Sequence, residues 1–461
     1  MTTESTGHRS PRSPAIAALL SFLWPGLGQW YVGRPRAAAV FALPIAALLL
    51  LLVLWLAGGA DRALIDLLVP AVAAVFIVAI LAEGSLRIAS MIHAAWLVGG
   101  RAALRRRSVG SAIGVLGLVV VVTHVWAIAV AWSLYQAPGR MFVEKPVAVV
   151  PQASGAPSPS DDFLATPAAT PESPSARINI LLTGIDSSET RNHALTDTLM
   201  VISVDPTTGK VAMVSFPRDI ARFTMSNGRL FTGKINALMT TANNNPGQYP
   251  DGGLPTLIKE LGFLLGVPIH YYAAVDLEGF ARLIDAVGGV TIDNPRAIDD
   301  PSYGGWTDGR VGFHLSAGVH HLDGETALAY ARSRKGSGDN DFTRARRQQQ
   351  IILALRSRFT DPSVLVQLPS IIDAGSRTLR TNFPQDRLKE MLDISKNIEN
   401  DDEIRRVVLG PPYAVNPPAG TPGGYQLILD MNRLAKLSIE LFGDDSNYAV
   451  STRLPGLSPS P

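Results

Sequence analysis

A run of cationic side chains in the second half of this chain offers the clearest chemistry. The run comprises Arg332, Arg334, Lys335, Asp339, Asp341, Arg344, Arg347 and Gln348. Arginine binds the planar oxygens of a phosphate through two parallel hydrogen bonds, and it cannot lose its charge. A cluster of this kind on the outer side of a membrane suggests a phosphorylated lipid as its ligand.

Carboxylates upstream of this run would complete a site for phosphate chemistry. Asp186 ends an apolar segment of strand length, Asp197 opens the next strand, and Asp219 follows Arg218. Open α/β sheets bind ligands at strand ends, and Mg²⁺ is usually held by one or two carboxylates together with substrate phosphates. The cations that would surround a diphosphate are Arg218, Lys234, Arg332, Arg334, Arg344 and Arg347. Such a set meets the two demands of phosphoryl transfer, which are positioning and charge neutralisation.

Simpler explanations compete with this one. A single aspartate at a strand end is more often a turn or cap residue than a metal ligand, and an arginine-rich helix more often presents a solvated face. Arg344 and Arg347 share a helix face, whereas Arg346 points elsewhere; Arg346 and Lys335 are predicted to be plain surface charge. The histidines at 314, 320 and 321 lack the spacing of zinc ligands.

Composition excludes several classes of protein. The formal net charge of +2 argues against a nucleic-acid binder, because such proteins usually carry a strongly basic domain. The chain has no cysteine, so disulfides and thiolate catalysis are excluded. It also lacks the Gly-x-Ser-x-Gly turn that presents a nucleophilic serine.

The N-terminal third, residues 1–135, is predicted to be a membrane region with about three transmembrane helices. The predicted spans are residues 37–57, 63–81 and 109–134, and residues 85–99 are predicted to lie at the membrane interface. About 20 apolar residues cross a bilayer. The arginines at 101 and 105–107 indicate a cytoplasmic loop, so the last span would carry the rest of the chain outside. Residues 15–31 are broken near Pro25 and would form a hairpin or a re-entrant segment.

The remaining two thirds divide by composition. Residues 136–176 are rich in proline, alanine and serine, and they are predicted to be a linker because they cannot bury enough apolar surface to fold. Residues 177–445 alternate strand and helix patterns, which predicts an α/β domain built as a layered sandwich. Residues 446–461 are predicted to be a flexible tail.

Seven motifs in this domain occur in the order typical of one family. They are Leu181-Leu182-Thr183-Gly184-Ile185-Asp186-Ser187, Thr196-Asp197-Thr198-Leu199-Met200, Ser215-Phe216-Pro217-Arg218-Asp219, Lys234-Ile235-Asn236-Ala237, Val287-Gly288-Gly289-Val290, Leu322-Asp323-Gly324-Glu325-Thr326-Ala327-Leu328 and Tyr330-Ala331-Arg332-Ser333-Arg334. They are followed in the same order by Asp341-Phe342-Thr343-Arg344 and Arg347-Gln348-Gln349. In these motifs the chain resembles the LytR-CpsA-Psr family. The resemblance covers residues 177–359 by motif and leaves the multi-span N-terminal region outside it.

The resemblance implies an α/β/α sandwich that encloses a lipid tunnel, and a phosphotransferase that moves a glycopolymer from a polyprenyl diphosphate carrier to peptidoglycan. Asp186 and Asp197 would hold Mg²⁺, or Mn²⁺ in its place. We predict that the catalytic residues are Asp186, Asp197, Arg218, Asp219 and Arg334, with Asp186 or Asp219 as the acceptor of the hydroxyl proton. The implied substrate-binding residues are Arg218, Lys234, Asn236, Arg332, Arg334, Arg344, Arg347 and Gln348.

One departure from the family pattern and two other functions stay open. Members often carry an arginine two residues before the second aspartate, and Leu195 stands there; Arg191 is a candidate replacement. The domain could instead be a polyprenyl diphosphate phosphatase, an activity that could also accompany transfer, or a lipid-binding module without catalysis. The expected location is the bacterial cell membrane, multi-pass, with the catalytic domain extracytoplasmic and no nucleic-acid partner. The sequence leaves the oligomeric state and the identity of the glycopolymer open.

Overall fold

The structure is a computed structural model, and it describes residues 12–142, 177–186, 195–397, 404–418, 420–422 and 424–449. The chain divides at Pro138 into an N-terminal helical unit and a C-terminal α/β unit. Most of the predicted linker and the end of the predicted tail lie outside the described residues. Residues 136–141, expected in the linker, instead belong to the helix that ends at Met141.

The N-terminal unit consists of helices. They are α1 Pro14–Leu23, α2 Leu27–Tyr31, α3 Pro35–Leu56, α4 Ala60–Leu67, α5 Pro70–Leu104 and α6 Arg107–Met141. Within the described ranges, α3, α5 and α6 are the three helices long and apolar enough to cross a membrane. The predicted break near Pro25 is confirmed: it separates α1 from α2 at Gly26, whose φ of 101° favours glycine.

The second span differs from the prediction. Its helix, α5, begins at Pro70 rather than at residue 63, because proline is suited to the first helical position. It then continues to residue 98, before non-helical backbone angles at Gly99 and Gly100 kink it. Residues 85–99 were predicted to lie at the membrane interface because the segment is short and carries Arg87 and His93. In the structure Arg87 donates from Nε to Glu83 Oε1 over 2.8 Å, one turn away, so its charge is paired within the helix.

The C-terminal unit is built on a mixed six-stranded sheet. The strands are β1 Ile178–Asp186, β2 Leu195–Val204, β3 Val211–Ser215, β4 Ala221–Thr224, β5 Leu230–Lys234, β6 Tyr271–Asp276, β7 Val290–Asn294, β8 Ile298–Asp300, β9 Phe313–Leu315, β10 Gly318–Leu322, β11 Leu379–Thr381, β12 Ile404–Val408, β13 Ala414–Val415 and β14 Ile428–Leu429. The sheet order is β11-β6-β1-β2-β3-β12, with β1 parallel to β6 and β3 parallel to β12. The predicted β2–β3 hairpin is confirmed.

Helices cover both faces of this sheet. They are α7 Leu238–Asn244, α8 Gly253–Leu265, α9 Leu277–Ala286, α10 Gly324–Arg332, α11 Asp341–Thr360, α12 Leu368–Thr378, α13 Leu388–Asn397 and α14 Met431–Phe442. Alternate residues of a strand point to opposite faces: Val201 packs with α8 and α14, whereas Met200 packs with α11 and α13. The unit is therefore an α/β/α sandwich, as predicted.

The start of the predicted tail is packed rather than loose. Ser446 is fully buried, and its hydroxyl lies 2.6 Å from that of Ser438 on α14. The Tyr448 hydroxyl donates to the Leu264 carbonyl over 3.1 Å. The polar composition of this segment predicted a flexible tail, because it gives no sign of contacts with residues far away in the sequence.

Candidate active site

The end of β3 and the β4–β5 hairpin bring a carboxylate and an ammonium together. Asp219 follows β3 and is 5% exposed. The hairpin then returns the chain, because Ala221 pairs with Lys234 across it. Lys234 Nζ donates to Asp219 Oδ1, and Arg218 Nε lies 3.7 Å from Asp219 Oδ2. Residues separated by fifteen positions thus form one ionic cluster around the buried Asp219 carboxylate.

Helix α11 adds a second carboxylate and a further cation. Asn340 caps the helix by accepting hydrogen bonds from the Phe342 and Thr343 backbone, so Asp341 lies in the first turn. Asp341 Oδ2 is 3.5 Å from Arg218 Nε, and its Oδ1 is 3.3 Å from Arg344 Nη1. Arg344 is 6% exposed. The Asp341 carboxylate therefore bridges two guanidinium groups from different elements.

Gln349 fixes this helix against the sheet. Its Nε2 donates to Ser215 Oγ on β3 over 2.9 Å and to the Val407 carbonyl on β12 over 3.0 Å. The side chain is buried, at 2% exposure. Ser215 is the last residue of β3, and Arg218 follows it closely in the chain. These hydrogen bonds therefore fix the position of α11 on the sheet relative to Arg218.

The pKa values of Asp219 and Asp341 are shifted in opposite directions. Burial raises the pKa of Asp219, and the neighbouring Asp341 carboxylate adds to the increase while Lys234 opposes it. Burial also acts to raise the pKa of Asp341, but its hydrogen bond with Asp219 and the charges of Arg344 and Arg218 outweigh burial and lower it. A proton is therefore held more readily by Asp219, and Asp341 is the member that stays ionised.

Arg347, predicted with Arg344 as a diphosphate ligand, contacts the loop between α10 and α11. Its Nη2 donates to the Ser333 carbonyl and, over 3.2 Å, to Asp339 Oδ2. The guanidinium carbon lies 5.5 Å from the centre of the Tyr330 ring. Two more of its donors, Nε and Nη1, are buried without a hydrogen-bond partner among the described residues. Arg347 thus supports the loop that carries Arg334.

The other predicted site residues lie at the end of α10, in the loop that follows it, on α11 and in the segment after Lys234. Arg332 ends α10 beside the Tyr303 hydroxyl. Arg334 follows in the loop and is half-buried. Asn236 is buried in the turn after Lys234, and Gln348 Nε2 donates to the Ala331 carbonyl over 3.3 Å. Arg346 and Lys335 are exposed, which confirms their assignment to the surface.

The predicted metal ligands are described only by their backbone. Asp186 ends β1 opposite Leu195, and Asp197 is the extra residue of a bulge, because Ile185 pairs with Thr196 while Gly184 pairs with Thr198. Bulges often stand next to active sites and redirect a side chain. The side chains of Asp186 and Asp197, and all of Arg191, lie outside the described part of the chain. Elsewhere in the described ranges no cluster of three or more metal-binding side chains occurs, and His314 instead pairs with Asp299.

Sequence reasoning missed Asp341 and Gln349 as parts of the site. Asp341 stood in the opening cluster and in a family motif, and i, i+3 spacing allows its pairing with Arg344, but its contact with Arg218 could not be predicted from spacing. Gln349 stood in the Arg347-Gln348-Gln349 motif, but it was not predicted to be a site residue. Both depend on contacts between α11 and strands that are more than fifty residues away.

Comparison with known proteins identifies relatives of this chain. The LytR_cpsA_psr family model matches residues 152–410, more than half of the chain. The polyisoprenyl-teichoic acid–peptidoglycan teichoic acid transferase TagU of Bacillus mycoides is 32% identical over 234 residues, which are 50% of this chain and 69% of TagU. The corresponding TagV of Bacillus subtilis is 33% identical over 206 residues, 44% of this chain and 49% of TagV.

Among solved structures, TagV of B. subtilis matches with a TM-score of 0.47 at 28% identity and covers 58% of this chain and 96% of its own. The matched region of the family model includes Arg218, Asp219 and Lys234 as well as the whole of the Arg332–Gln348 run. The residues that form the ionic cluster are thus inside the family domain. This chain belongs to the LytR-CpsA-Psr family.

Proposed function

We propose that this protein is a membrane-anchored phosphotransferase that moves a glycopolymer from a polyprenyl diphosphate carrier to peptidoglycan. The observation that carries the proposal is the placement of Arg218, Lys234 and Arg344 around the carboxyl pair Asp219 and Asp341. The names of the relatives TagU and TagV, which are teichoic acid transferases acting from a polyisoprenyl carrier, support it. The three long apolar helices would keep the chain at the membrane that contains such a carrier.

The transfer would be a single displacement at phosphorus. A hydroxyl of the acceptor glycan attacks the phosphorus next to the glycopolymer, the bond to the bridging oxygen breaks, and polyprenyl phosphate leaves. The hydroxyl proton passes to a carboxylate, either Asp186 or Asp219. Between the two described carboxylates, Asp219 is the stronger base because its pKa is raised, whereas Asp341 is committed to two guanidinium groups.

A divalent cation fits the charge balance of this proposal. The described cations of the site are already partly neutralised by Asp219 and Asp341. Asp186 and Asp197 would add two negative charges beside a diphosphate that brings its own, so Mg²⁺ or Mn²⁺ would be needed to balance them. When bound, the metal would neutralise charge on the non-bridging oxygens. The chain's arginines and Lys234 would bind and orient the diphosphate.

The test uses the full-length protein with a polyprenyl diphosphate-linked glycan, peptidoglycan and Mg²⁺. Arg334→Ala should abolish both glycan transfer and release of polyprenyl phosphate, because the substitution removes a half-buried arginine that the proposal assigns to the diphosphate. Arg346→Ala is the matched control, since Arg346 is exposed on a neighbouring helix and should turn over like wild type. Wild-type turnover by Arg334→Ala would overturn the assignment.

The same assay separates the two rival functions. Release of polyprenyl phosphate at one rate with and without peptidoglycan, and with no glycan joined to it, would identify a diphosphatase. Retention of intact lipid in the presence of Mg²⁺ would identify a lipid-binding module. Glycan joined to peptidoglycan in step with lipid release is the outcome that the proposal requires.

A further inference from the structure

We propose that Asp300 is a positioning residue that holds Arg334, and with it the Arg332–Lys335 turn, in the geometry that grips the diphosphate; the inference rests on the function proposed above. Asp300 is the last residue of β8 and is 2% exposed. Neither its sequence position nor any motif marked it as part of the site. Its role follows from what its two carboxylate oxygens contact.

One oxygen of Asp300 organises the turn that follows α10. Oδ2 accepts a hydrogen bond from Ser333 Oγ over 2.9 Å, from the Arg334 backbone N–H over 3.2 Å and from the Lys335 backbone N–H over 3.1 Å. Consecutive backbone N–H groups that converge on one point form an anion-binding concavity. Here the protein's own carboxylate occupies the concavity, so the backbone at Arg334 is fixed before any ligand binds.

The other oxygen anchors Asp300 itself. Oδ1 accepts from Ser302 Oγ over 3.1 Å and from the Ser302 backbone N–H over 3.3 Å. Although burial raises the pKa of Asp300, the hydrogen bonds from Lys335, Ser333 and Ser302 lower it below its ordinary value. Every one of these contacts is donated to the carboxylate, so an uncharged amide cannot replace it: the NH₂ group of an asparagine would face donors on one side or the other.

Ser333 is held from two directions, which makes the turn rigid. Its hydroxyl donates to Asp300, and its carbonyl accepts from Arg347 Nη2. Ser333 is 1% exposed and lies between the two predicted diphosphate ligands Arg332 and Arg334. Fixing its backbone therefore fixes the starting points of both long side chains, and less ordering is left to be done when the ligand binds.

A double-mutant cycle tests whether Asp300 acts through Arg334. Affinity for geranylgeranyl diphosphate with Mg²⁺ is measured in the full-length wild type, Asp300→Asn, Arg334→Ala and the double variant. Asp300→Asn should weaken binding about tenfold in the wild-type background and less than twofold in the Arg334→Ala background, because residues of one network are not additive. An equal loss in both backgrounds, or wild-type affinity in Asp300→Asn, would overturn the inference.

Asp299→Asn is the matched control. Asp299 is adjacent in β8, but its side chain is 69% exposed and pairs with His314 at the surface. It should bind the probe like wild type; a loss equal to that of Asp300→Asn would contradict the inference. A wild-type protein that does not bind the probe would overturn the proposed function itself, and this outcome is distinct from additivity in the cycle.

Two further measurements guard against misfolding. Amide hydrogen exchange at Arg334 and Lys335 should be faster in Asp300→Asn than in Asp299→Asn, and unchanged exchange would count against the inference. If Asp300→Asn does not fold, Ser333→Ala replaces it, because this change removes one of the three hydrogen bonds to Oδ2 and keeps the carboxylate. We expect about threefold weaker binding, again dependent on Arg334; a loss independent of Arg334 would overturn the proposal.

Discussion

Asp341→Asn is expected to destabilise the ligand-free protein, because it removes the negative charge that Arg218 and Arg344 share. The Asp341 and Arg344 side chains are only 14% and 7% exposed, so water replaces the lost partner poorly. Removing one member of a buried ion pair costs about 3–5 kcal/mol. Since the Arg218 side chain is 23% exposed, the lower end, about 3 kcal/mol, is appropriate here. For a domain of this size that corresponds to a fall in Tm of roughly 6–12 °C.

The assay is calorimetry of the full-length protein as a function of pH. The pKa of Asp341 is lowered in the folded state, so its contribution to stability is present above the unfolded value of about 4 and is lost as the pH falls through the folded value. The gap in Tm between wild type and variant should therefore be widest near neutral pH and narrow below about pH 4. A gap that widens on acidification would contradict this reasoning.

Asp373→Asn is the control for the charge change. Asp373 lies 2.9 Å from Arg377, but the two side chains are 48% and 61% exposed. An exposed pair contributes at most about 1 kcal/mol, so this variant should melt close to wild type. The comparison separates burial of the Asp341 pair from the mere loss of a carboxylate.

A ligand-linked measurement sharpens the same prediction. Inorganic diphosphate would supply the negative charge that Asp341→Asn has lost, so it should raise the Tm of the variant more than that of wild type. Two results would refute the reasoning: a variant that melts within about 1 °C of wild type, or diphosphate that stabilises wild type more. Either would show that Arg218 and Arg344 do not form one anion site bridged by Asp341.

Two other substitutions probe the same cluster. Asp219→Asn should melt closer to wild type than Asp341→Asn does at neutral pH, because the stability that a raised pKa contributes is present below about pH 4 and is lost as the pH rises through the folded-state pKa. If Asp219 rather than Asp186 accepts the hydroxyl proton, the substitution should also slow transfer by about 10²–10⁴-fold. Thermal melts and transfer rates check the two expectations, and a melt as low as that of Asp341→Asn would count against the first. Gln349→Leu should cost about 2 kcal/mol in urea unfolding, since Ser215 and the buried Val407 carbonyl lose a donor; an unchanged midpoint would show that these bonds do not hold α11.

The sequence was most informative where structure depends on local pattern. The apolar run that ends at Asp186 became β1, and the turn between residues 204 and 211 joined β2 to β3, because alternation and turn residues act over a few positions. The same patterns predicted a layered α/β sandwich, and the family resemblance implied its α/β/α arrangement. The Ala221–Lys234 pairing and the short strands β8 and β9 were missed, since they are defined by partners rather than by their own composition.

In the candidate site, too, the residue types could be predicted from the sequence, whereas the contacts between distant residues could not. Residue types and motif order selected Arg218, Asp219, Lys234 and Arg344, and the structure brings these four together. Their connection through Asp341 could not be predicted, because it requires α11 to sit at one height on the sheet. That height is set by Gln349, which bonds to residues 134 and 58 positions away in the sequence.

Arg344 and Arg347 share one face of α11 but have different contacts, and their spacing alone does not distinguish the two roles. Three residues along an α-helix leave two side chains about 60° apart, so both were predicted to meet the same diphosphate. In the structure Arg344 contacts Asp341, whereas Arg347 contacts Asp339 and the Ser333 carbonyl. One arginine thus belongs to the ionic cluster and the other secures the loop that carries Arg334. The cationic run therefore contains both an arginine of the ionic cluster and an arginine that holds the loop after α10 in place.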